Sequence, residues 1–226
     1  MISIIMNSYS PLKSQRHMDI ACIADIRRFT DAKVEIIIVN NDNTHRFRDD
    51  YGVLAPYQLI APPREMNVYE SYNFGASLAK GNKLMFIQND VFVHERTIDK
   101  LAVYLDEWDV AFPQQIEFSR KEVKSLYKVK DGAKAPLGWR DAGLLAITRK
   151  AFDKTGGWDE RYQNMLGERA FYVRIGEAGL TWTCSTNAII THIKAGTNLS
   201  KDDGLYNEEM QHDVELAARL GHDKPS

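Results

Sequence analysis

Residues 84–91, Leu-Met-Phe-Ile-Gln-Asn-Asp-Val, set four apolar side chains against an abrupt polar stop. A continuous apolar run of this kind reads as a strand buried on both faces. Gln88, Asn89 and Asp90 cannot continue a dry core. In an open α/β sheet, ligands bind in the crevice beyond the carboxyl ends of the strands. A carboxylate placed there is a hard oxygen ligand able to hold a divalent cation against a phosphate. Asp90 is therefore a candidate metal ligand, expected at a solvent-facing strand end; the alternative is that Asn89 and Asp90 only turn the chain. Two other strands stop in the same manner. Val34–Val39 breaks into Asn40-Asn41-Asp42-Asn43-Thr44, and Ile2–Met6 runs into Asn7-Ser8-Tyr9-Ser10-Pro11.

Helical patterns lie between these strands, which predicts consecutive βαβ units sharing one parallel sheet. Right-handed crossovers bring all three polar ends to one edge. The expected crevice is lined by Ser8, Tyr9, Asn40, Asn41, Asp42 and Asp90. Apolar spacing predicts a covering helix over 14–29, with Met18, Ala21, Cys22, Ala24, Ile26 and Phe29 on its inner side. A short strand is expected at 57–60, then helices at 69–79, where Gly81 supplies the stop, and at 97–105. Further along come strands at 110–113 and 142–147, helices at 149–155 and 168–178, and a last strand region over 181–190 that ends at Thr191-His192. Residues 208–220 form an amphipathic terminal helix expected on the outside. The fold class is α/β: one domain over 1–200 with a mostly parallel central sheet flanked by helices, and a C-terminal helix and tail over 201–226.

At 226 residues and 44% apolar content, one large core is expected. A net charge of −2 offers no global attraction to nucleic acid or an anionic membrane. Two cysteines, Cys22 and Cys184, are too few for a disulfide scaffold and read as buried free thiols in a reducing compartment. No signal peptide pattern and no apolar run of membrane-spanning length is found, so the expected location is cytoplasmic. The stretch 119–137 carries Arg120, Lys121, Lys124, Lys128, Lys130 and Lys134. It reads as a solvated strand pair or loop, with a flap over an anionic substrate as the alternative.

Five segments, in order, resemble the inverting family 2 glycosyltransferases of the GT-A fold. They are Ser3–Tyr9; Ile37–Thr44; Asn73-x-Gly75 through Phe86; Gln88-Asn89-Asp90-Val91 at the position of a D-x-D metal motif; and Gly156-Gly157-Trp158-Asp159-Glu160 followed by Gly167-Glu168. The resemblance implies a Rossmann-like GT-A domain and transfer of a sugar from a nucleotide sugar, UDP-type favoured, to a hydroxyl acceptor, with Mn²⁺ or Mg²⁺. It implies a nucleotide-sugar site of Ser8, Tyr9, Asn40, Asn41, Asp42, Asn73, Asn89, Asp90, Trp139 and Lys194, and a metal held by Asp90 and His192. Three departures stand out. Asn40 and Asn41 replace the usual acid at the second strand's end, the D-x-D motif keeps a single carboxylate, and the later acidic pair is reduced to Glu168.

An inverting transfer needs a base for the acceptor's proton. Glu168, opening a helix whose N-terminus favours its charge, is the first candidate; Asp159, Glu160 and Asp141 follow. Trp139, Trp158 and Trp182 are candidate sugar-stacking platforms, with Trp139 preferred. The competing readings are a non-catalytic nucleotide-sugar scaffold and a sugar nucleotidyltransferase; the missing glycine-rich loop after the first strand counts against the latter. The acceptor that the resemblance implies is a glycan or other hydroxyl compound, with a phosphorylated acceptor or a hydroxylated base in DNA as the alternative that the basic stretch permits.

Overall fold

The computed structural model describes residues 1–9, 13–41, 56–118, 123–125, 143–164, 166–193 and 203–222. Among them, β1 (Ile2–Ser8), β2 (Val34–Asn40), β3 (Gln58–Ile60) and β4 (Lys83–Gln88) form a parallel run in the order β3-β2-β1-β4. The helix α1 (Lys13–Phe29) follows β1, and α2 (Val68–Leu78) leads into β4. The chain moves outward from β1 to β2 and β3, then jumps back to the other side of β1 for β4. The order therefore reverses between β1 and β4, which is where open α/β sheets form their ligand crevice.

Beyond β4 the sheet is mixed. β5 (Val91–Val93) and α3 (Thr97–Tyr104) precede β6 (Val110–Phe118), β7 (Val123–Ser125) and β8 (Leu144–Thr148). Then come α4 (Arg149–Thr155), α5 (Gly167–Glu177), β9 (Trp182–Ile193) and α6 (Asp203–Leu220). The order continues β4-β8-β6-β9-β5, with β7 paired to β6. β8 lies antiparallel to both β4 and β6, β9 parallel to β6, and β5 antiparallel to β9. The expected parallel sheet is thus present in its first half, and the second half adds the antiparallel strands. The short β5 was not anticipated, since three residues carry too little pattern. β6 runs further than its predicted 110–113. Pro113 sits where the β6–β9 register breaks, between Phe112 and Gln114, a position that tolerates a residue with no N–H to give.

Alternation along the strands divides the core into two layers. Ile5, Leu84, Phe86, Leu145 and Ile147 face α2, α4, α5 and α6. Ile4, Met6, Met85, Ile87 and Ala146 face α1 and α3. Helix α2 lies close on β1, because Gly75 has no Cβ to meet the Ile5 side chain. Asn67 and Glu70 form a capping box at the start of α2, and Arg149 donates to the Ala76 and Ala79 carbonyls at its end, at 2.9 Å each.

Candidate active site

Register fixes the first part of the site. Ser8 stands opposite Asn40 and Asn7 opposite Gln88, so the three polar strand ends meet at one edge as expected. The Asn41 amide donates to Asn7 Oδ1 at 2.8 Å and to Ser71 Oγ at 2.7 Å, and its main-chain N–H donates to the Ser8 carbonyl at 2.8 Å. Asn40, Asn41, Asn89 and Asp90 are all buried. The strand ends are further strapped by Asp19, a fully buried carboxylate on α1. Its Oδ2 accepts from Ser8 Oγ at 2.6 Å and its Oδ1 from Asn89 Nδ2 at 2.7 Å. Sequence reading missed Asp19. The signal was its phase: Gln15, Asp19, Cys22, Ile23 and Ile26 make one buried stripe, so an acid sits where the stripe demands an apolar residue.

Asp90 and His192 form the second part. Ile193 N–H donates to the Asp90 carbonyl at 3.0 Å, and Val91 pairs with His192 across β5 and β9. His192 Nε2 lies 3.4 Å from Asp90 Oδ1. Asp90 is only 3% exposed, not at a solvent-facing end as expected, because the chain passes directly from β4 into β5 and His192 covers it. Asp90 Oδ1 is buried without a hydrogen-bond donor. A buried carboxylate oxygen left in that condition is costly, and a divalent cation would satisfy it. One oxygen and one imidazole nitrogen suit Mn²⁺, with the remaining positions left to phosphate oxygens and water. Among the described residues no cluster of three or more acidic, His or Cys side chains could hold a cation by itself. The His192 tautomer depends on Gln115, whose Nε2 is 3.2 Å from His192 Nδ1. With the amide donating, the proton of a neutral ring sits on Nε2; with the amide turned over, it sits on Nδ1 and Nε2 carries the lone pair, which is the form a metal requires.

The third part is the start of α5. β9 runs parallel to β6, and β6 and β4 are each antiparallel to β8. β9 therefore runs in the same direction as β4, and α5, which feeds β9 from below, begins at the edge where β1, β2 and β4 end. Glu168 lies in the first turn of α5. Its Oε2 accepts from the Tyr69 hydroxyl at 2.8 Å, and that hydroxyl accepts from Gly167 N–H at 3.1 Å. Burial, then the charge of Glu168, pushes the Tyr69 phenol well above its ordinary range, so it remains a donor. Gly167 is required here: a Cβ would overlap the Tyr69 ring.

Several expected site residues serve the frame. Asn73 accepts from Trp158 N–H at 2.9 Å and donates to the Trp158 carbonyl at 3.0 Å and Glu160 Oε1 at 2.8 Å. Its amide ties α2 to the turn at Gly156–Gly157, in place of the nucleotide-sugar contact expected of it. Trp158 is buried and stacks on Phe171 with centroids 4.2 Å apart, so it is core and not a sugar platform. Trp182 is half-buried and packs on the same core layer. Asp159 is buried and paired with Arg161 at 2.6 Å and Arg174 at 3.0 Å. Hydrogen bonding from Arg161 holds its carboxyl below the usual range, which makes it a poor proton acceptor. Tyr9 is half-buried at the end of β1. Asp42, Trp139, Asp141 and Lys194 lie outside the described residues, as does most of the basic stretch 119–137. Of that stretch, Lys124 is described in β7, opposite Glu117 of β6.

A family model described as glycosyl transferase family 2 matches residues 20–169. No curated protein sequence matches the chain. Among solved structures, TarS 1–349 of S. aureus is similar with a TM-score of 0.68 and 11% identity, over 96% of this chain and 71% of that one. GalNAc-T7, crystallised with UDP, GalNAc and Mn²⁺, is similar with a TM-score of 0.69 and 16% identity, over 85% of this chain and 44% of that one. These likenesses establish the GT-A fold. The chain spans less than half the length of the GalNAc-T7 chain.

Proposed function

The chain belongs to glycosyl transferase family 2, and we propose that it moves a sugar from a UDP-type nucleotide sugar to a hydroxyl acceptor, with inversion and with a divalent cation at Asp90 and His192. The observation that carries the metal-assisted reading is the donorless, buried Asp90 Oδ1 beside His192, at the edge where the sheet order reverses. The UDP and Mn²⁺ held by GalNAc-T7 support the choice of nucleotide and cation.

Breaking the bond between the anomeric carbon and the diphosphate builds negative charge on the departing phosphate oxygens. Bound Mn²⁺ or Mg²⁺ supplies Lewis acidity at those oxygens. Asp90 and His192 are the residues that would hold it. The strap of Asp19 to Ser8 and Asn89 keeps both strand ends rigid, so the donor meets a fixed edge. Glu168 is proposed to take the acceptor hydroxyl's proton. The N-terminus of α5 favours its ionised form, and the Tyr69 hydroxyl orients the carboxylate by donating to Oε2. Asn40 and Asn41 stand in the place of the base-binding acid. The amide of Asn40 is of a kind that both donates and accepts, as the edge of a pyrimidine requires, whereas Asn41, whose N–H₂ donates to Asn7 and Ser71, offers only its Oδ1 as an acceptor.

Incubating the protein with radiolabelled UDP-glucose, UDP-galactose and their N-acetylated amino counterparts tests this. Slow hydrolysis of one donor that requires Mn²⁺ supports the transferase. Donor binding by calorimetry with no turnover on any donor or acceptor would instead make it a nucleotide-sugar scaffold, the reading that the thinned carboxylates at Asn40 and Gln88 favour.

A further inference from the structure

Helix α6 lies outside the residues matched by the family model, yet it is wired to the start of α5. Asp213 on α6 is completely buried. Its two oxygens accept from two consecutive main-chain amides, Gln163 N–H to Oδ1 and Asn164 N–H to Oδ2, each at 2.8 Å. These amides belong to the segment that joins the Trp158 turn to α5. Tyr162, the preceding residue, is also fully buried; its hydroxyl lies 2.8 Å from His222 Nδ1 beyond the end of α6. The Tyr162 ring meets the edge of Tyr69, with centroids 6.5 Å apart at 81°. Leu216 and Ala217 seat the same helix in the core layer that contains Tyr69 and Tyr162. Leu166, immediately before Gly167, is held at φ 61°. A leucine adopts that backbone only when its surroundings over-determine it.

We propose that Asp213 and Tyr69 form a clamp that aims Glu168: Asp213 fixes the main chain entering α5, and Tyr69 fixes the carboxylate itself. They are positioning residues, acting through Glu168, and the proposal rests on the reading of Glu168 as the base. The clamp requires a carboxylate at 213, because two adjacent N–H groups need two acceptor oxygens. It requires a hydroxyl at 69, because that group both accepts from Gly167 and donates to Glu168. A base displaced by about an ångström loses about 10²-fold in rate without disturbing a donor bound elsewhere.

The test uses the full chain with the radiolabelled UDP-sugar that it hydrolyses fastest, in saturating Mn²⁺. Asp213→Asn sets an amide N–H₂ against a main-chain N–H, and Tyr69→Phe removes one hydroxyl. Each is expected to lower kcat by about 10- to 100-fold and to leave the donor KM and the calorimetric donor affinity within twofold. In a Glu168→Gln background neither should lower the residual rate further. Tyr69→Phe carries the same expectation by itself should Asp213→Asn fail to fold. A kcat within twofold of wild type, a donor KM that moves together with kcat, or an equal loss in the Glu168→Gln background would overturn the clamp. The two readings fail separately. If Glu168→Gln is inactive while Asp213→Asn and Tyr69→Phe turn over normally, only the clamp falls. If Glu168→Gln turns over normally, or the wild type hydrolyses no donor, the base reading falls and the clamp with it.

Discussion

A carboxylate oxygen buried without a donor is a liability unless something uses it. Asp90 Oδ1 is in that position, with His192 Nε2 at 3.4 Å as its near neighbour. Asp90→Asn is therefore expected to melt at or above the wild-type temperature while losing its metal response, because it gives a donor to a place where one buried carboxylate oxygen has none. Differential scanning calorimetry with and without Mn²⁺ and UDP checks this: the ligands should raise the melting temperature of the wild type and not that of the variant. His192→Ala should weaken Mn²⁺ less than Asp90→Asn, and an unchanged Mn²⁺ titration would remove His192 from the site. Asp159 has the opposite character. Its carboxyl is held below the usual range by Arg161 and then Arg174, so its contribution to stability is present above the unfolded value near 3.9 and is lost as pH falls through the lower folded value. Asp159→Asn should cost about 1.5–3 kcal/mol at pH 7. The gap to wild type in thermal melts should begin to narrow below about pH 4 and narrow further with each step down in pH, and a gap that stays constant as pH falls would mean that packing, not charge, holds the turn.

Elements decide which of these residues meet. The strand ends were legible in the sequence because each apolar run stops in polar side chains, and parallel crossovers leave those stops no other edge. The acids Asp19 and Asp213 were not legible as buried groups. Each lies within a helix, where an acid normally faces water, and each is drawn inward by partners distant in sequence: Ser8 and Asn89 for Asp19, the 163–164 amides for Asp213. Asn73 illustrates the converse. Motif position suggested a ligand contact, but the Trp158 main chain, 85 residues away, takes up its amide. At the helix scale, Gly75→Ala should push α2 off β1, because its methyl would meet Ile5. A loss of about 1–3 kcal/mol is expected, read by urea denaturation, and an unchanged midpoint would show that α2 can shift without cost.

Across the whole molecule, one sheet separates two apolar layers, and both thiols lie inside them. Cys22 is in the α1 layer, where burial and then Asp19 raise its thiol well above the ordinary value, and Cys184 is in the opposite layer. Neither thiol should react with a maleimide in the native protein, and both should react after unfolding. Rapid native labelling would mean that a layer opens readily. Among the described residues no helix is long and apolar enough to cross a membrane. The same architecture brings the strand ends, with Asp90 and His192, and the N-terminus of α5, with Glu168, to one edge of the sheet. The most direct measurement is the rate of UDP release from the preferred UDP-sugar across a Mn²⁺ titration, for wild type and Asp90→Asn. Wild type should show a saturable rise that a chelator abolishes, and the variant should stay more than about tenfold lower at every Mn²⁺ concentration, a barrier increase above about 1.4 kcal/mol. A variant within threefold of wild type, or a wild-type rate indifferent to Mn²⁺ and chelator, would contradict it.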